Sequence, residues 1–349
     1  MAPLLEIKDL KVSFDTDDGV VHAVDGVSWS IEPGKTLGIV GESGSGKTVG
    51  GLSLLGLTRS ARTEISGEAI FDGRNLLDLS DEELRSVRGG PISMIFQDPL
   101  SSLHPYFRVG SQIVEAIQAH QKLSDAEARD RAIELLGLVG IPDPALRVDS
   151  WPHEFSGGMR QRAMIAMALA NEPKLLIADE PTTALDVTVQ AQVLDLLDRL
   201  RNELGMAMVI ITHDLGVVAQ TADEIAVMYA GRLVERASAE ELFSAPQHPY
   251  TWGLLRSIPR LDSPPGEPLI PIDGRPPSLI NRPTGCAFAP RCPYAGPSCL
   301  VEPPALTPAG GVDHSAACVL DVSARAKAWK ALAAGGGPDD AKGILGVES

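Results

Sequence analysis

The chain has 349 residues, more than one domain usually needs, so we expect one large domain and an extension. Hydrophobic residues make up 44% of it, enough for a packed core and too many for a disordered chain. With 30 basic and 46 acidic residues, the formal net charge of −16 argues against nucleic acid or an anionic lipid surface as a primary partner, although solubility alone explains such a charge equally well.

Neither a membrane-spanning helix nor a secretion signal is predicted. No stretch approaches the ~18 consecutive apolar residues that a spanning helix requires. The first ten residues carry Glu6, Lys8 and Asp9 and lack an apolar signal core. We therefore expect a cytoplasmic chain that reaches any membrane only through another protein. A reducing compartment also argues against disulfides among its four cysteines.

The predicted elements begin with two alternating, β-branched strands at 5–14 and 20–31, separated by a turn. An apolar run at 36–40 predicts a third strand. A Gly-rich loop at 41–48 then leads into a predicted helix. Strand, loop and helix in this order are the context in which a phosphate-binding loop has meaning.

The middle of the chain, from about residue 100 to 172, is predicted to be mostly helical, with the best windows at 113–119, 126–138 and 160–170. Short apolar runs at 175–178 and 208–211 are typical of strands buried in a parallel sheet. Between them, 187–204 is predicted to be an amphipathic helix.

The character of the sequence changes after residue 245. We expect one α/β unit at 1–245, a Pro- and Cys-rich extension at 246–320 and an Ala/Gly-rich tail at 321–349. Within the tail, 323–334 is predicted to be helical and the remainder disordered. No internal repeat is apparent, so the chain holds one such unit.

Residues 41–48 read GESGSGKT and fit the pattern G-x-x-x-x-G-K-[ST] at every position. Glycines let successive backbone N–H groups approach phosphates closely. Lys47 would neutralise the β- and γ-phosphates, and the Thr48 hydroxyl would ligate Mg²⁺. A Gly/Ser turn before a helix is the alternative, but the flanking strand and helix favour a phosphate site. The candidate nucleotide-binding residues here are Gly41, Ser43, Gly44, Ser45, Gly46, Lys47 and Thr48.

Residues 175–180 read LLIADE, an apolar strand that ends in two carboxylates. At the carboxyl end of a parallel strand beside a phosphate loop, Asp179 would hold the Mg²⁺ shell. Glu180 would orient or deprotonate the attacking water. An acidic pair after a strand could instead cap the next helix, but the loop at 41–48 favours catalysis.

Residues 155–162 read FSGGMRQR and resemble the signature sequence of the ABC ATPases. Further motifs stand in the family's order: Gln97 resembles the Q-loop glutamine, 184–186 (ALD, with Asp186) the D-loop, His213 the switch histidine, and Phe14 the aromatic residue that stacks on adenine. A lone Gln or His is more often structural, but several motifs in one order indicate the family. The chain is identified as a member of the ABC ATPases over roughly residues 4–240.

This resemblance implies an α/β fold, a P-loop ABC nucleotide-binding domain with a mixed sheet core and a helical subdomain. It also implies that two subunits face each other head to tail. ATP on the 41–48 loop of one would be clasped by three signature residues of the other: Ser156, Gly157 and Gly158. Phe155 and Met159 replace the family's commonest residues, and neither change removes the serine or the glycines.

The other site residues take their roles from the same resemblance. His213 would sense the γ-phosphate and stabilise the transition state beside Glu180. Gln97 would contact Mg²⁺ and report nucleotide to the helical part, which grips a membrane partner. Closure on ATP and opening after hydrolysis would then form the two-state element that moves the transporter.

Four stretches, at 96–106, 213–219, 227–235 and 248–255, are similar to the dipeptide and oligopeptide permease ATPases. The similarity implies the motor of a bacterial importer at the cytoplasmic face of the inner membrane. The implied partners are a second, paralogous ATPase subunit, two integral membrane permease subunits and, indirectly, an extracytoplasmic substrate-binding protein. Di- and oligopeptides are the expected cargo, with nickel chelates, glutathione or oligosaccharides as alternatives.

A soluble ABC ATPase in translation, repair or cluster assembly is the runner-up. Translation factors usually carry two nucleotide units, and repair members insert a long coiled coil before the signature. This chain shows neither feature. A binding module without catalysis is disfavoured because Glu180 and His213 are both present.

The four cysteines, Cys286, Cys292, Cys299 and Cys318, have the spacing C-x5-C-x6-C-x18-C. Four thiolates can hold a [4Fe–4S] cluster or Zn²⁺, and the lack of a tight C-x2–4-C pair favours iron–sulfur. Some peptide-importer ATPases that this tail resembles bind such a cluster. Four free cysteines remain a third reading. His314 could replace one thiolate, although its Asp and Ser neighbours indicate an ordinary surface residue.

Overall fold

A computed structural model describes residues 2–98, 102–183, 185–258 and 270–347. Ala184 of the predicted D-loop, and 99–101 after the Q-loop glutamine, lie outside these ranges. The strands are β1 (Leu5–Thr16), β2 (Gly19–Ile31), β3 (Thr36–Val40), β4 (Thr63–Phe71), β5 (Arg74–Asn75), β6 (Ile92–Ile95), β7 (Leu175–Asp179), β8 (Ala207–Thr212), β9 (Glu224–Tyr229), β10 (Arg232–Ser238), β11 (Thr307–Pro308) and β12 (Ser315–Ala316).

The α-helices are α1 (Lys47–Leu54), α2 (Asp81–Val87), α3 (Val109–Gln118), α4 (Asp125–Leu138), α5 (Pro144–Arg147), α6 (Gly157–Ala168), α7 (Val187–Leu204), α8 (Leu215–Thr221), α9 (Ala239–Ser244), α10 (Pro249–Arg256), α11 (Val322–Ala333) and α12 (Pro338–Leu345). Short 3-10 helices lie at Leu76–Asp78, Pro152–Glu154, Ala289–Arg291 and Pro297–Leu300. None of the helices in the described ranges is both long enough and apolar enough to cross a bilayer.

The central sheet has the strand order β11-β12-β10-β9-β3-β8-β7-β6. β3 pairs in parallel with both β8 and β9, and β7 pairs in parallel with β6 and β8. Every residue of β3, β7 and β8 is buried, which agrees with sequences that are apolar apart from Thr36, Asp179 and Thr212 at the strand ends. The predicted strands at 175–178 and 208–211 are therefore confirmed. Their parallel direction brings the ends of three strands to one edge of the sheet.

A second sheet, with the order β2-β1-β4-β5, is antiparallel. Its apolar face packs with α1 and one face of the central sheet in a single hydrophobic cluster. Phe14 lies on β1, opposite Val21 and Thr63, and is half-buried against this cluster. The sheet therefore supports the strand that precedes the phosphate loop.

The helices of the middle segment pack together on the other side of the central sheet. Buried side chains from α3, α4, α6 and α7 share one hydrophobic cluster with β7 and β8. The best predicted windows fall within α3, α4 and α6 apart from a residue or two at their ends, and the predicted amphipathic helix coincides with α7. α4 begins at a capping box in which Ser124 and Glu127 satisfy each other's backbone N–H groups.

Residues beyond β10 pack onto the central sheet. β12 pairs with β10 and β11 with β12, so this segment extends the sheet at one side. The predicted disorder after residue 334 is wrong, because α12 forms and packs against α11. Pro338 occupies the first turn of α12, Asp340 accepts a hydrogen bond from the Gly337 N–H, and Ala341 is buried. These local helix signals override the Ala/Gly-rich composition.

His314 is not the surface residue that its neighbours in sequence indicate. Its side chain is buried, and its Nε2 lies 2.8 Å from a carboxylate oxygen of Glu235 on β10. The backbone N–H groups of Gln247 and His248 also donate to Glu235, which is completely buried. A single carboxylate therefore ties β10, the start of α10 and the segment before β12 together.

We expect Glu235→Gln to destabilise the fold by about 2–4 kcal/mol. Both carboxylate oxygens accept hydrogen bonds from N–H groups, so an amide nitrogen in their place must face a donor. Equilibrium urea unfolding of the full chain measures the change.

Glu224→Gln is the matched control, since Glu224 is a half-exposed glutamate that pairs with Arg236 at 2.6 Å. Loss of this pair should cost about 1 kcal/mol or less. Equal shifts of the two unfolding midpoints would contradict the role assigned to Glu235.

Candidate functional site

The loop at 41–48 connects β3 to α1 in a conformation that needs glycine. Gly46 has φ 98°, in the left-handed region, and a β-carbon there would lie 2.1 Å from the carbonyl oxygen of Ala23. Gly41 is equally constrained, since a β-carbon would lie 2.1 Å from the carbonyl oxygen of Met228. The motif glycines are therefore required by the backbone packing of the loop.

Lys47 is buried inside this loop. Its Nζ donates hydrogen bonds to the carbonyl oxygens of Gly41 at 2.6 Å and Glu42 at 3.0 Å, and lies 3.4 Å from Ser45 Oγ. Burial lowers the pKa of Lys47, and the carboxylates of Glu180 and Asp179 oppose that shift. The loop thus encloses a cation where the sequence predicts the phosphates to bind.

Asp179 ends β7 beside the first turn of α1. The Thr48 hydroxyl donates a hydrogen bond to Asp179 Oδ1 at 3.1 Å, so the structure brings these two predicted Mg²⁺ ligands together. Burial raises the pKa of Asp179; the Thr48 hydrogen bond lowers it, and the neighbouring Glu180 charge raises it further. A hydroxyl and a carboxylate are ligands that Mg²⁺ accepts, and a cation there would offset the cost of two adjacent carboxylates.

Glu180 forms hydrogen bonds with two other predicted site residues, Gln97 and His213. Gln97 Nε2 donates to Glu180 Oε2 at 2.9 Å, and His213 Nδ1 lies 3.1 Å from Glu180 Oε1. Gln97 therefore donates to the predicted base, and among the described residues no hydrogen bond joins it to the other predicted Mg²⁺ ligands, Thr48 and Asp179. The Glu180 backbone has φ 45° and donates its N–H to the Ile211 carbonyl oxygen. Strained non-glycine backbone of this kind is common at functional sites.

Thr183 also donates to Glu180 Oε2, at 2.8 Å, and was not singled out from the sequence. The one sequence feature that could have indicated Thr183 is that its hydroxyl lies three positions after Glu180. Burial raises the pKa of Glu180, but the hydrogen bonds from Thr183 and His213 outweigh it, so the pKa is lowered overall. The carboxylate is therefore ionised at neutral pH and able to accept a proton.

The signature residues Ser156, Gly157 and Gly158 lie at the start of α6 and not in the phosphate loop. Ser156 caps α6, with its Oγ accepting a hydrogen bond from the Met159 N–H at 3.3 Å. A β-carbon on Gly157 would have no neighbour within 4 Å. Across the described part of the chain, no hydrogen bond joins Ser156, Gly157 or Gly158 to the phosphate loop. Gln161 on the same helix donates to the carbonyl oxygen of Pro181, next to Glu180.

Asp186 caps α7, accepting a hydrogen bond from the Val189 N–H at 3.0 Å. It therefore has a structural role in the isolated chain, whatever its role in an assembly. The structure does not place it on the phosphate loop of its own chain.

The four cysteines line one cavity, together with residues that include His248, Phe288 and Tyr294. The Cys286 N–H donates to the Cys299 carbonyl oxygen at 2.7 Å. Burial, opposed by a backbone hydrogen bond and aided by nearby thiols, raises the pKa of Cys318 to about 11. Within the described ranges, no group of three or more His, Cys, Asp or Glu side chains is arranged to hold a single metal ion. The thiols share a cavity without converging on one point.

Comparison with known proteins gives two family matches. The ABC transporter family model matches residues 24–183, and the model of the oligopeptide/dipeptide transporter C-terminal region matches 234–299. The chain is 52% identical to the oligopeptide transport ATP-binding protein OppD of Escherichia coli, over 86% of this chain and 89% of that protein. It is 55% identical to OppD of Bacillus subtilis, over 84% and 82% of the two chains.

A solved dimeric ATP-binding cassette, bound to ADP and Pi in a post-hydrolysis state, superimposes with a TM-score of 0.61 at 28% identity. The match covers 67% of this chain and 98% of that one. The protein cbiO1 of Clostridium perfringens, part of the ABC transporter complex cbiONQ, gives a TM-score of 0.59 at 30% identity, with 70% of this chain and 91% of that one covered. These likenesses agree with a P-loop ATPase fold built on mixed sheets. The chain belongs to the ABC transporter ATPases, in the branch of the oligopeptide transport ATP-binding proteins.

Proposed function

We propose that the chain is the ATP-hydrolysing motor subunit of a bacterial oligopeptide importer. The observation that carries the proposal is the meeting of Lys47, the Thr48–Asp179 pair and the Glu180–His213 pair at one edge of the central sheet. Relatives named for oligopeptide transport support the cargo class and do not favour nickel chelates, glutathione or oligosaccharides. A soluble role has no comparable support.

The chemistry follows from the placement of these side chains. The backbone N–H groups of the loop and Lys47 bind the phosphates, with Thr48 and Asp179 as ligands to Mg²⁺. A bound Mg²⁺ neutralises charge on the transferred phosphoryl group. Glu180 orients the attacking water and accepts its proton, since hydrogen bonds keep its carboxylate ionised. His213 stabilises charge on the γ-phosphate beside it.

Gln97 and Phe14 complete the nucleotide-binding side. Gln97 reaches Glu180 through its amide, so a displacement of the segment around Gln97 changes the hydrogen bonds of the base. Phe14, half-buried on β1, stacks on adenine in this proposal. The Gly-rich loop residues Ser43, Gly44 and Ser45 surround the phosphates.

A complete site requires a second ATPase subunit. In the part of the chain that the structure describes, Ser156, Gly157 and Gly158 make no hydrogen bond to the phosphate loop, and Gly157 faces open space. The N-terminus of α6 is therefore available to the γ-phosphate on a facing subunit. Asp186 lies at the same head-to-tail interface in this proposal. We infer a paralogous subunit as the partner, and the dimeric state of the matched cassette supports such pairing.

An apolar groove supports docking of the permease subunits at the cytoplasmic face of the cell membrane. Its lining residues come from the segment after α1, from β6, α3 and α6, and from residues near the ends of these elements. Leu57 and Phe96 are exposed in it. Phe96 precedes Gln97, so a helix of a permease loop seated in the groove would press on the residue that contacts Glu180. A substrate-binding protein would deliver the peptide on the opposite side.

The extension from about residue 246 carries the cysteine-lined cavity, for which we propose a [4Fe–4S] cluster. Four cysteines around one cavity match the ligand number of such a cluster. A zinc ion held by the same thiols is the alternative, since four thiolates also bind zinc. The cluster has a structural or regulatory role in this proposal, with no electron transfer assigned to it.

We expect Glu180→Gln to bind MgATP and to lose turnover about a hundredfold or more, because the variant lacks the base that accepts the water proton. Steady-state phosphate release by the assembled transporter, together with a nucleotide-binding assay, measures both effects. Glu203→Gln on the exposed surface of α7 is the control. Undiminished hydrolysis by the Glu180 variant would remove that residue from the mechanism.

Lys47→Ala should weaken MgATP binding by at least about tenfold, because a buried charge-assisted contact to the phosphates is lost. Lys174→Ala serves as the control, since Lys174 forms an exposed pair with Asp72 away from the loop. Calorimetric titration of the full chain with MgATP gives both affinities. Normal binding by the Lys47 variant would show that the loop is not the phosphate site.

Anaerobically purified full chain should contain about four irons and four acid-labile sulfides and show the visible absorption of such a cluster. Cys299→Ser should lower the iron content, whereas Ser298→Ala, one residue away, should not. Zinc without iron would make the cavity a zinc site. The absence of any metal would leave four free thiols and contradict the cluster.

A further inference from the structure

Two residues from the segment after β10 contact Glu42, the second residue of the phosphate loop. The Glu42 N–H donates to Tyr250 Oη at 2.9 Å. Arg291 donates from Nη1 to Glu42 Oε2 at 2.7 Å and from Nη2 to Glu42 Oε1 at 3.0 Å. Such a two-pronged pair between guanidinium and carboxylate fixes orientation as well as distance.

Arg291 is held in place before it reaches Glu42. Its side chain is only 5% exposed, and its Nε donates to the Asp273 carbonyl oxygen at 2.9 Å. Nη2 also lies 3.2 Å from the Ile272 carbonyl oxygen. The guanidinium is therefore a fixed support and not a mobile surface group.

Tyr250 is equally fixed. The side chain is completely buried in α10, and its ring lies 4.6 Å from the ring of Tyr229 on β9. Phe288 packs against both rings. The hydroxyl that accepts from Glu42 thus belongs to a rigid aromatic cluster.

The remaining polar group of Glu42, its backbone carbonyl, contacts the predicted phosphate-binding lysine. Its carbonyl oxygen accepts a hydrogen bond from Lys47 Nζ at 3.0 Å. The three polar groups of Glu42 are thus held by Tyr250, Arg291 and Lys47. One residue connects the segment after β10 with the cation that would bind the phosphates.

We propose that Arg291 and Tyr250 are positioning residues for the nucleotide, which hold Glu42 so that the loop has its phosphate-binding shape before ATP arrives. The inference rests on the proposed phosphate site at 41–48. Holding a binding loop in its bound shape raises affinity, because less ordering is required on binding. Cys292 follows Arg291 directly, so the same contact links the cysteine-lined cavity to the loop.

The test is the dissociation constant of MgATP for the full chain, measured by calorimetric titration. Arg291→Gln and Glu42→Gln should each weaken binding on the order of tenfold. The double variant should bind no more weakly than either single variant, because each change already breaks the pair. Tyr250→Phe removes the hydroxyl and keeps the aromatic packing. It should therefore weaken MgATP binding without the large loss of thermal stability that a cavity in the aromatic cluster would cause.

In the assembled transporter, the same variants should raise KM for MgATP and leave kcat close to that of the unchanged chain, since the chemical step does not involve Glu42. Arg291→Lys keeps the charge but loses the two-pronged geometry. Its KM for MgATP should therefore lie between that of the unchanged chain and that of Arg291→Gln. If these residues had only a structural role, the substitutions would lower the amount of folded protein and would not raise KM while leaving kcat unchanged.

Arg282→Gln is the matched control. Arg282 also joins the segment after β10 to the core, through a 2.6 Å pair with Asp25 on β2. Within the described ranges its hydrogen bonds go to Asp25 and His22, and none reaches the loop at 41–48. Its removal should leave MgATP affinity unchanged. An equal loss with Arg282→Gln would mean that general loosening of the segment is responsible and would overturn the proposal.

Unchanged affinity in both Arg291→Gln and Glu42→Gln would also overturn it. The Lys47→Ala variant separates the two levels of the account. If that variant loses MgATP binding while Arg291→Gln does not, the phosphate site stands and only the positioning role fails. If Lys47→Ala binds normally, the phosphate site itself is wrong.

Discussion

The parallel arrangement of β3, β7 and β8 is the constraint on which the rest of the structure depends. These strands end at one edge of the central sheet, so a buried ammonium group lies close to two adjacent carboxylates. Burying Lys47 and Asp179 together is costly unless each has partners. The loop carbonyls and Thr48 supply these partners in the isolated chain. Phosphates and Mg²⁺ would complete the same charge pattern.

The hydrogen bonds of Glu180 extend this edge into the helical part. Gln97 contacts Glu180 directly, and Gln161 on the signature helix contacts the carbonyl of the next residue, Pro181. Gln97 therefore holds the base directly, and Gln161 holds the backbone immediately after it. Such shared contacts are the physical means by which docking, subunit pairing and hydrolysis would depend on one another.

Features that depend on a short continuous stretch of sequence can be predicted from the sequence. The buried strands and the amphipathic helix α7 follow from local patterns, and so does the glycine requirement of the loop at 41–48. The acidic end of an apolar strand predicts Glu180 as a candidate, and the resemblance to the ABC ATPases adds His213, although only the fold shows that Nδ1 of the histidine lies 3.1 Å from the carboxylate. The position of Asp186 at a subunit interface stays a prediction.

Long-range contacts between isolated polar residues could not be predicted. Arg291 and Glu42 are 249 positions apart, and neither lies in a pattern that indicates its partner. His314 was misjudged because its polar neighbours suggested exposure, whereas Glu235 on a distant strand supplies the buried partner. The Ala/Gly-rich composition after residue 334 predicts disorder, whereas the capping residues of α12 favour a helix. In each case, tertiary packing or a local cap outweighed composition.

In the proposed function, ATP hydrolysis at this sheet edge drives peptide movement. The most direct test reconstitutes the chain with its partner ATPase and permease subunits in proteoliposomes and measures ATP hydrolysis and peptide accumulation together. We expect a peptide-loaded binding protein to stimulate hydrolysis and labelled oligopeptide to accumulate only with ATP. Hydrolysis at the same rate with and without peptide, and no peptide entry, would contradict the account.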